Sequence, residues 1–264
     1  MHSPIASILN WLDERARYLL RWPINLIRDL PVRVWRLLDT AMRLILGIIF
    51  FLPEMIDAIS HHETRRWMRY KAGRMIDWLH RLLTQLFDLV GGPELAQFLF
   101  HFFMNTTPLT TEEIDLMSDI AGPSAIRYRE VRVAQGGLLN IVFKLNGNLA
   151  FATWRTINIP RMGQHTRENQ FLLAHELTHV YQYEQIGTRY LGEAIFMLVK
   201  TKRDCYDYGG QDGLRLACVS GIRYRDYNRE QQAMIVQDYC FLDHAGRDVS
   251  VYRPFIEEFR KGLF

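Results

Sequence analysis

Five residues, His175-Glu176-Leu177-Thr178-His179, constrain this chain more than any others. They form an H-E-x-x-H pattern inside a run that reads as helix, from Arg167 to Ala174 before it and Val180 to Tyr183 after. Residues four apart share a helix face, so both imidazoles can point at one ion. Glu176, next to the first histidine, turns toward the same place, where it can take a proton from an activated water. Phe171, Leu172, Leu177 and Val180 flank the pattern at helical spacing, as expected of a buried metal-site helix. The expected cofactor is Zn²⁺.

A hydrolytic zinc site needs three protein ligands and one open position. A third histidine shortly after His179, behind a glycine, would mark the metzincins. The chain instead continues Val180-Tyr181-Gln182-Tyr183-Glu184-Gln185-Ile186-Gly187, which excludes them. The expected third ligand is Glu230, in Asp226-Tyr227-Asn228-Arg229-Glu230-Gln231-Gln232-Ala233. Asn228 is a suitable N-cap for a helix there, and Ala233, one turn after Glu230, lets that helix approach closely. Two rivals stay open. Asp204 and Asp207 lie among tyrosines and glycines, and His244 sits in a turn-like segment.

The run from Leu172 to Gln182 resembles the L-L-x-H-E-L-T-H-V-x-Q helix of bacterial metallopeptidase-like domains, which occur in polymorphic toxins and as cargo of contractile injection systems. The block from Asp226 to Ala233 is similar to their second metal-site helix, whose glutamate is the third ligand. The resemblance covers about residues 125–243 and implies a gluzincin plan, with His175, His179 and Glu230 as ligands and Glu176 as the base. It further implies a bacterial secreted effector or toxin with a peptide or protein substrate and a secretion-system partner. Residues 1–105 carry no part of it.

The expected fold is α+β. A zincin-like catalytic domain over 106–264, with a small antiparallel sheet and active-site helices, would follow an N-terminal helical region over 1–105. In that region Ile5, Ile8, Leu9, Leu12, Ala16, Leu19 and Leu20 make one apolar stripe. A second helix is expected to start near Pro31 and carry Val34, Leu37, Leu38, Ala41, Leu44 and Ile45. A third runs over Thr64–Val90, with Met68, Met75, Ile76, Leu79, Leu83 and Leu86 on one face. Gly91-Gly92-Pro93 ends it, before a short fourth over Glu94–Met104. The longest uncharged apolar run, Leu44–Pro53, is about half of what crosses a bilayer. A soluble bundle that buries these stripes is one reading. Helices lying on a membrane surface are the other.

Thr106-Thr107-Pro108 reads as a linker, and Thr110 with Glu113 as a capping box for a helix to Ala121. Strands are expected over Ile126–Val133, Leu138–Leu145, Leu149–Trp154 and Thr156–Pro160, with turns at Gly136-Gly137 and Asn146-Gly147-Asn148. Thr156–Ile159 would edge the cleft and pair with an extended peptide.

A formal net charge of +3, with arginines spread along the chain, does not suggest nucleic-acid binding. Three cysteines without a C-x-x-C pair fit reduced thiols in the cytoplasm of the producing cell, with export that uses no cleavable signal peptide. A Cys205–Cys218 bridge is the alternative after export. Tyr206, Tyr208, Tyr227 and Tyr239 are the candidates to stabilise an oxyanion, and Asp238 is a candidate partner for a ligating imidazole. The expected activity is zinc-dependent hydrolysis of peptide bonds. The alternative is a non-catalytic module, held by zinc, that acts through its N-terminal helices on a membrane or a partner.

Overall fold

The computed structural model describes residues 4–136, 139–163 and 165–264. The chain divides into two compact units, Met1–Ala96 and Gln97–Phe264. The first begins with α1 (Pro4–Ile49), α2 (Phe51–Ser60) and α3 (Thr64–Leu89), and the division falls within α4 (Gly92–Phe102). The expected break before Pro31 does not occur, because α1 runs through both Pro23 and Pro31. Each proline removes one helix donor and displaces a carbonyl. Both lie on the exposed side of α1, where that disruption is not buried.

Within the first unit α1 packs against α3. Trp78 donates its indole N–H to the Thr40 carbonyl at 3.0 Å. Arg33, buried, donates to the Asp88 carbonyl and pairs with buried Glu94. The expected stripes are otherwise directed: Leu38 and Ile45 of α1, and Ile76, Leu79 and Leu83 of α3, are exposed.

The second unit continues with β1 (Asn105–Pro108), α5 (Thr111–Ala121), β2 (Arg132–Gln135), α6 (Leu139–Asn146), β3 (Phe151–Thr153) and β4 (Thr156–Asn158). It ends with α7 (Gln170–Ile186), α8 (Arg189–Thr201), α9 (Gly210–Ser220), α10 (Arg229–His244) and α11 (Arg253–Arg260). The class is α+β, mostly helical with one small sheet. The sheet is mixed rather than antiparallel. Its order is β1-β2-β4-β3, with β2 and β4 parallel. The expected linker is strand β1, and Ile126–Val133 forms a 3-10 turn at Tyr128–Glu130 before β2.

Leu139–Asn146 is helix, not strand. Leu139 and Phe143, four apart, bury one face, and that spacing prevails over the β-branched Ile141 and Val142. Gly137 and Leu138 lie outside the described residues. Asn146-Gly147-Asn148 therefore closes a helix instead of a hairpin. Gly147 (φ 77°) and Asn148 (φ 60°) are left-handed, and Asn148 N–H returns to the Phe143 carbonyl at 2.7 Å. The hairpin lies one strand later, between β3 and β4, turning through Trp154 (φ 53°) and Arg155. Tyr190 supports that strained position by accepting Trp154 N–H at 2.8 Å, while Thr188 accepts the indole N–H at 2.9 Å.

β4 is not an edge. It pairs with β2 on one side and β3 on the other and is wholly buried, so a peptide cannot add to it. β1 and β3 are the edges. Beneath the sheet, every residue of α7 from Leu172 to Tyr183 is buried. A helix buried all round is normally apolar all round. This one carries His175, Glu176, Thr178, His179 and Gln182 into the interior, with α10, α8, α5 and β3 against it.

Candidate metal centre

The local sequence accounts for both helices that carry the site. Asn169 caps α7, its side-chain oxygen accepting Leu172 N–H at 3.1 Å, and Gly187 (φ 71°) ends it. Asn228 caps α10, accepting Glu230 N–H at 2.9 Å and Gln231 N–H at 3.0 Å, while Gln231 returns a bond to Asn228 N–H at 3.0 Å. Glu230 thus lies in the first turn of a helix, where the macrodipole favours a carboxylate. Ala233 is fully buried in α10, which packs on α7.

The structure brings His175, His179 and Glu230 together. One ligand atom of each lies within 4.8 Å of the others, and all three residues are buried. Glu230 Oε2 is 3.3 Å from Nε2 of His175 and 3.3 Å from Nε2 of His179. Asp204, Asp207 and His244 are not members of this group. Asp207 binds Gly209 N–H at 2.8 Å in a turn, and His244 ends α10 with its ring on Phe171. All three cysteines are free, so Cys205 and Cys218 are not paired.

His179 is oriented from behind by Gln182, the last residue of the resembling run and one given no role by it. Its Nδ1 lies 2.8 Å from Gln182 Oε1. Gln182 Nε2 donates to the Arg229 carbonyl at 3.1 Å and to Gln232 Oε1 at 3.0 Å, which fixes the amide with its oxygen toward the imidazole. Gln232 is in turn fixed by donating to the Tyr224 carbonyl at 3.1 Å. Nδ1 of His179 must therefore carry a proton, and Nε2 is presented to the site. Position 182, one turn after His179 on the same helix, carried the available signal. Asp238 is hydrogen-bonded to neither imidazole among the described residues, and its carboxylate accepts from the Tyr208 hydroxyl at 2.5 Å. Nδ1 of His175 has no hydrogen-bond partner among the described residues.

Electrostatics fit a cation. Burial disfavours charge on Glu230, but the two histidines outweigh it and hold its carboxyl well below the ordinary range. Burial likewise opposes charge on His179, yet Glu230 overrides it and raises the imidazole to about 9. A proton on His179 therefore supplies positive charge that a metal ion would replace. Glu176 differs. Its carboxyl is buried, Oε2 has no partner, and burial pushes its pKa up, with Glu230 adding to the shift. An unpartnered buried carboxylate oxygen is costly unless something binds against it.

Among the four candidate tyrosines, Tyr206 is the one whose ring lies against a site histidine among the described residues. Tyr208 is hydrogen-bonded to Asp238 and Tyr252, Tyr227 packs on Phe255, and Tyr239 packs against the core. Tyr206 is half-buried, with its ring centroid 6.1 Å from that of His175. Burial and the carboxylates of Glu230 and Glu176 keep its phenol protonated. Its segment is tied to the start of α10, since Asn228 donates to the Cys205 carbonyl at 3.0 Å and Gln231 to the Asp207 carbonyl at 2.6 Å. His165 was also unforeseen. Burial and the nearby His175 and Arg203 lower its pKa, so a third imidazole stands near the site.

Comparison with known families matches residues 124–187 to the eCIS core domain, the core domain of extracellular contractile injection systems. The match spans β2 through the end of α7, with His175, Glu176 and His179, and stops before Glu230. No curated protein and no solved structure matches the chain.

Proposed function

We propose that this protein is a zinc-dependent metallopeptidase of zincin type, hydrolysing peptide bonds as an effector associated with a contractile injection system. The observation that carries the reading is a buried two-histidine, one-carboxylate group beside a buried carboxylate that has a free oxygen. Two imidazole nitrogens and one carboxylate oxygen suit zinc, with a position left open. His175, His179 and Glu230 would hold the ion, which supplies Lewis acidity for a water and a scissile carbonyl. Glu176 is not a ligand in this reading. Its raised pKa suits it to accept a proton from water and pass it to the leaving amine. The Tyr206 hydroxyl would donate to the carbonyl oxygen as charge develops there. Gln182 holds the His179 tautomer. The injection-system match supports the effector context, and the order of elements, a small sheet before the H-E-x-x-H helix and a glutamate on a later helix, supports the zincin plan.

A site kept only to join two helices would have no use for an unpartnered acid beside it, so Glu176 favours chemistry over a structural role. Metal analysis of the purified protein, combined with cleavage of a mixed peptide library, tests the reading. One zinc per chain and cleavage lost in Glu176→Gln are expected. Equal cleavage by wild type and Glu176→Gln would overturn the enzymatic reading, and absence of bound metal would overturn the site.

A further inference from the structure

In the N-terminal unit, burial and polarity are reversed from the ordinary arrangement. Where α1 and α3 face each other, the buried side chains include Arg33, Thr40, Gln85 and Asp88, with Glu94 beyond. Arg33 is 4% exposed and is held by Glu94 and the Asp88 carbonyl, with Asp29 3.6 Å away. On the opposite side of α1, Ile27, Trp35, Leu38, Met42 and Ile45 follow at helical spacing and are all exposed, Trp35 at 71%. On α3, Ile76, Leu79 and Leu83 are exposed in the same way. A water-soluble helix pair turns such stripes inward. A continuous exposed apolar stripe of this length marks a contact with something apolar.

Charge indicates what that is. Residues 1–96 contain 13 Lys and Arg against 10 Asp and Glu, which accounts for the whole net charge of +3. Arg65 and Arg69 of α3, on the same face as Ile76, Leu79 and Leu83, are exposed and form no ion pair among the described residues. Trp35 lies exposed on the α1 stripe, whereas Trp78 is turned into the α1–α3 seam. Tryptophan and arginine are the side chains that settle at a lipid headgroup boundary. No helix among the described residues is long and apolar enough to cross a membrane. Amphipathic helices of this kind lie in the interface plane. A second copy of the chain would set these arginines against each other, whereas anionic headgroups complement them.

We infer that the outward faces of α1 and α3 dock on an anionic phospholipid surface, with the apolar stripes in the acyl boundary and the arginines at the phosphates. The inference is independent of the metal site. Sedimentation of the full chain with vesicles of phosphatidylglycerol and phosphatidylcholine, against phosphatidylcholine alone, tests it at low salt. The expected result is pelleting with the anionic vesicles and at least tenfold weaker binding to neutral ones, with salt weakening the former. The variant Trp35→Glu/Leu38→Glu/Ile45→Glu alters only exposed positions and should keep its helical circular dichroism while losing binding at least tenfold. Wild type left in the supernatant, equal binding to both vesicle types, or undiminished binding by the triple variant would each overturn the inference. So would a lipid-independent dimer that the triple variant dissociates, which would assign the face to a second copy.

Discussion

The two units of this chain bury polar side chains for opposite ends. In residues 97–264 an apolar core surrounds α7, and the buried polar groups converge on one spot. In residues 1–96 Arg33, Thr40, Gln85 and Asp88 are buried along the α1–α3 seam, while Trp35, Leu38, Ile45, Ile76 and Leu83 face outward. A buried ionisable group either has its charge paired in place or shifts its pKa toward the neutral form. Arg33 with Glu94 is the first, and Glu176 is the second.

The largest effect expected from this contrast is on metal content. His175→Ala, His179→Ala or Glu230→Ala should each abolish stoichiometric zinc by elemental analysis, while Asp204→Ala and Asp207→Ala should retain it. Arg33→Met, which removes a buried partner of Glu94, should lower the urea midpoint of the first unit and leave zinc content unchanged. An Arg33→Met protein that folds but has lost its metal would show that the two kinds of burial are coupled. Because Glu230 raises the His179 imidazole to about 9 against the opposing burial, loading should also release a proton at pH 7, and progressively less as pH rises through that value. Calorimetry in buffers of differing ionisation enthalpy reads that number.

Next in size is the base. Glu176→Gln should lower turnover of a cleaved peptide by roughly 10²–10⁴-fold with metal retained, the range general-base catalysis supplies. Gln182→Leu should weaken metal affinity by roughly 10–100-fold in a chelator competition, because the His179 tautomer is no longer held. If Gln182→Leu binds metal like the wild type, the amide is only packing.

The smallest effect concerns acid stability. Glu184 is buried with Arg155 and Arg127, at 2.7 and 2.8 Å, and although burial opposes its charge, the arginines lower its pKa to about 2. Its folded value is below the unfolded one, so its contribution is present above about pH 4.5 and is lost as pH falls toward 2. From the size of the shift, that contribution is about 3 kcal/mol. Urea midpoints should therefore fall more steeply below pH 4.5 for wild type than for Glu184→Gln. Parallel curves would show that the arginines do not depend on this carboxylate.

The features legible in the sequence are those set within a few residues of one another. The capping box of Thr110 and Glu113 and the Asn228 cap are local hydrogen bonds, and α3 is a single unbroken period. The helical spacing of His175 and His179 belongs to the same class. The sheet departs from the expected strands where local signals conflict. Asn146-Gly147 serves a helix end as readily as a hairpin, and only the burial of Leu139 and Phe143 selects between them.

The H-E-x-x-H spacing and the caps of both ligand helices were determined by sequence alone, because backbone hydrogen bonds and the 3.6-residue turn are properties of short segments. What brings Glu230 to the histidines, turns Gln182 toward His179 and sets Tyr206 against His175 is the packing of α10 and the turn before α9 against α7. Those residues are separated by tens of positions, and nothing in the spacing of any one segment encodes the distance between two. The orientation of the N-terminal stripes was decided in the same way. Amphipathicity states that a helix has two faces, and only the partner it packs against decides which face is buried.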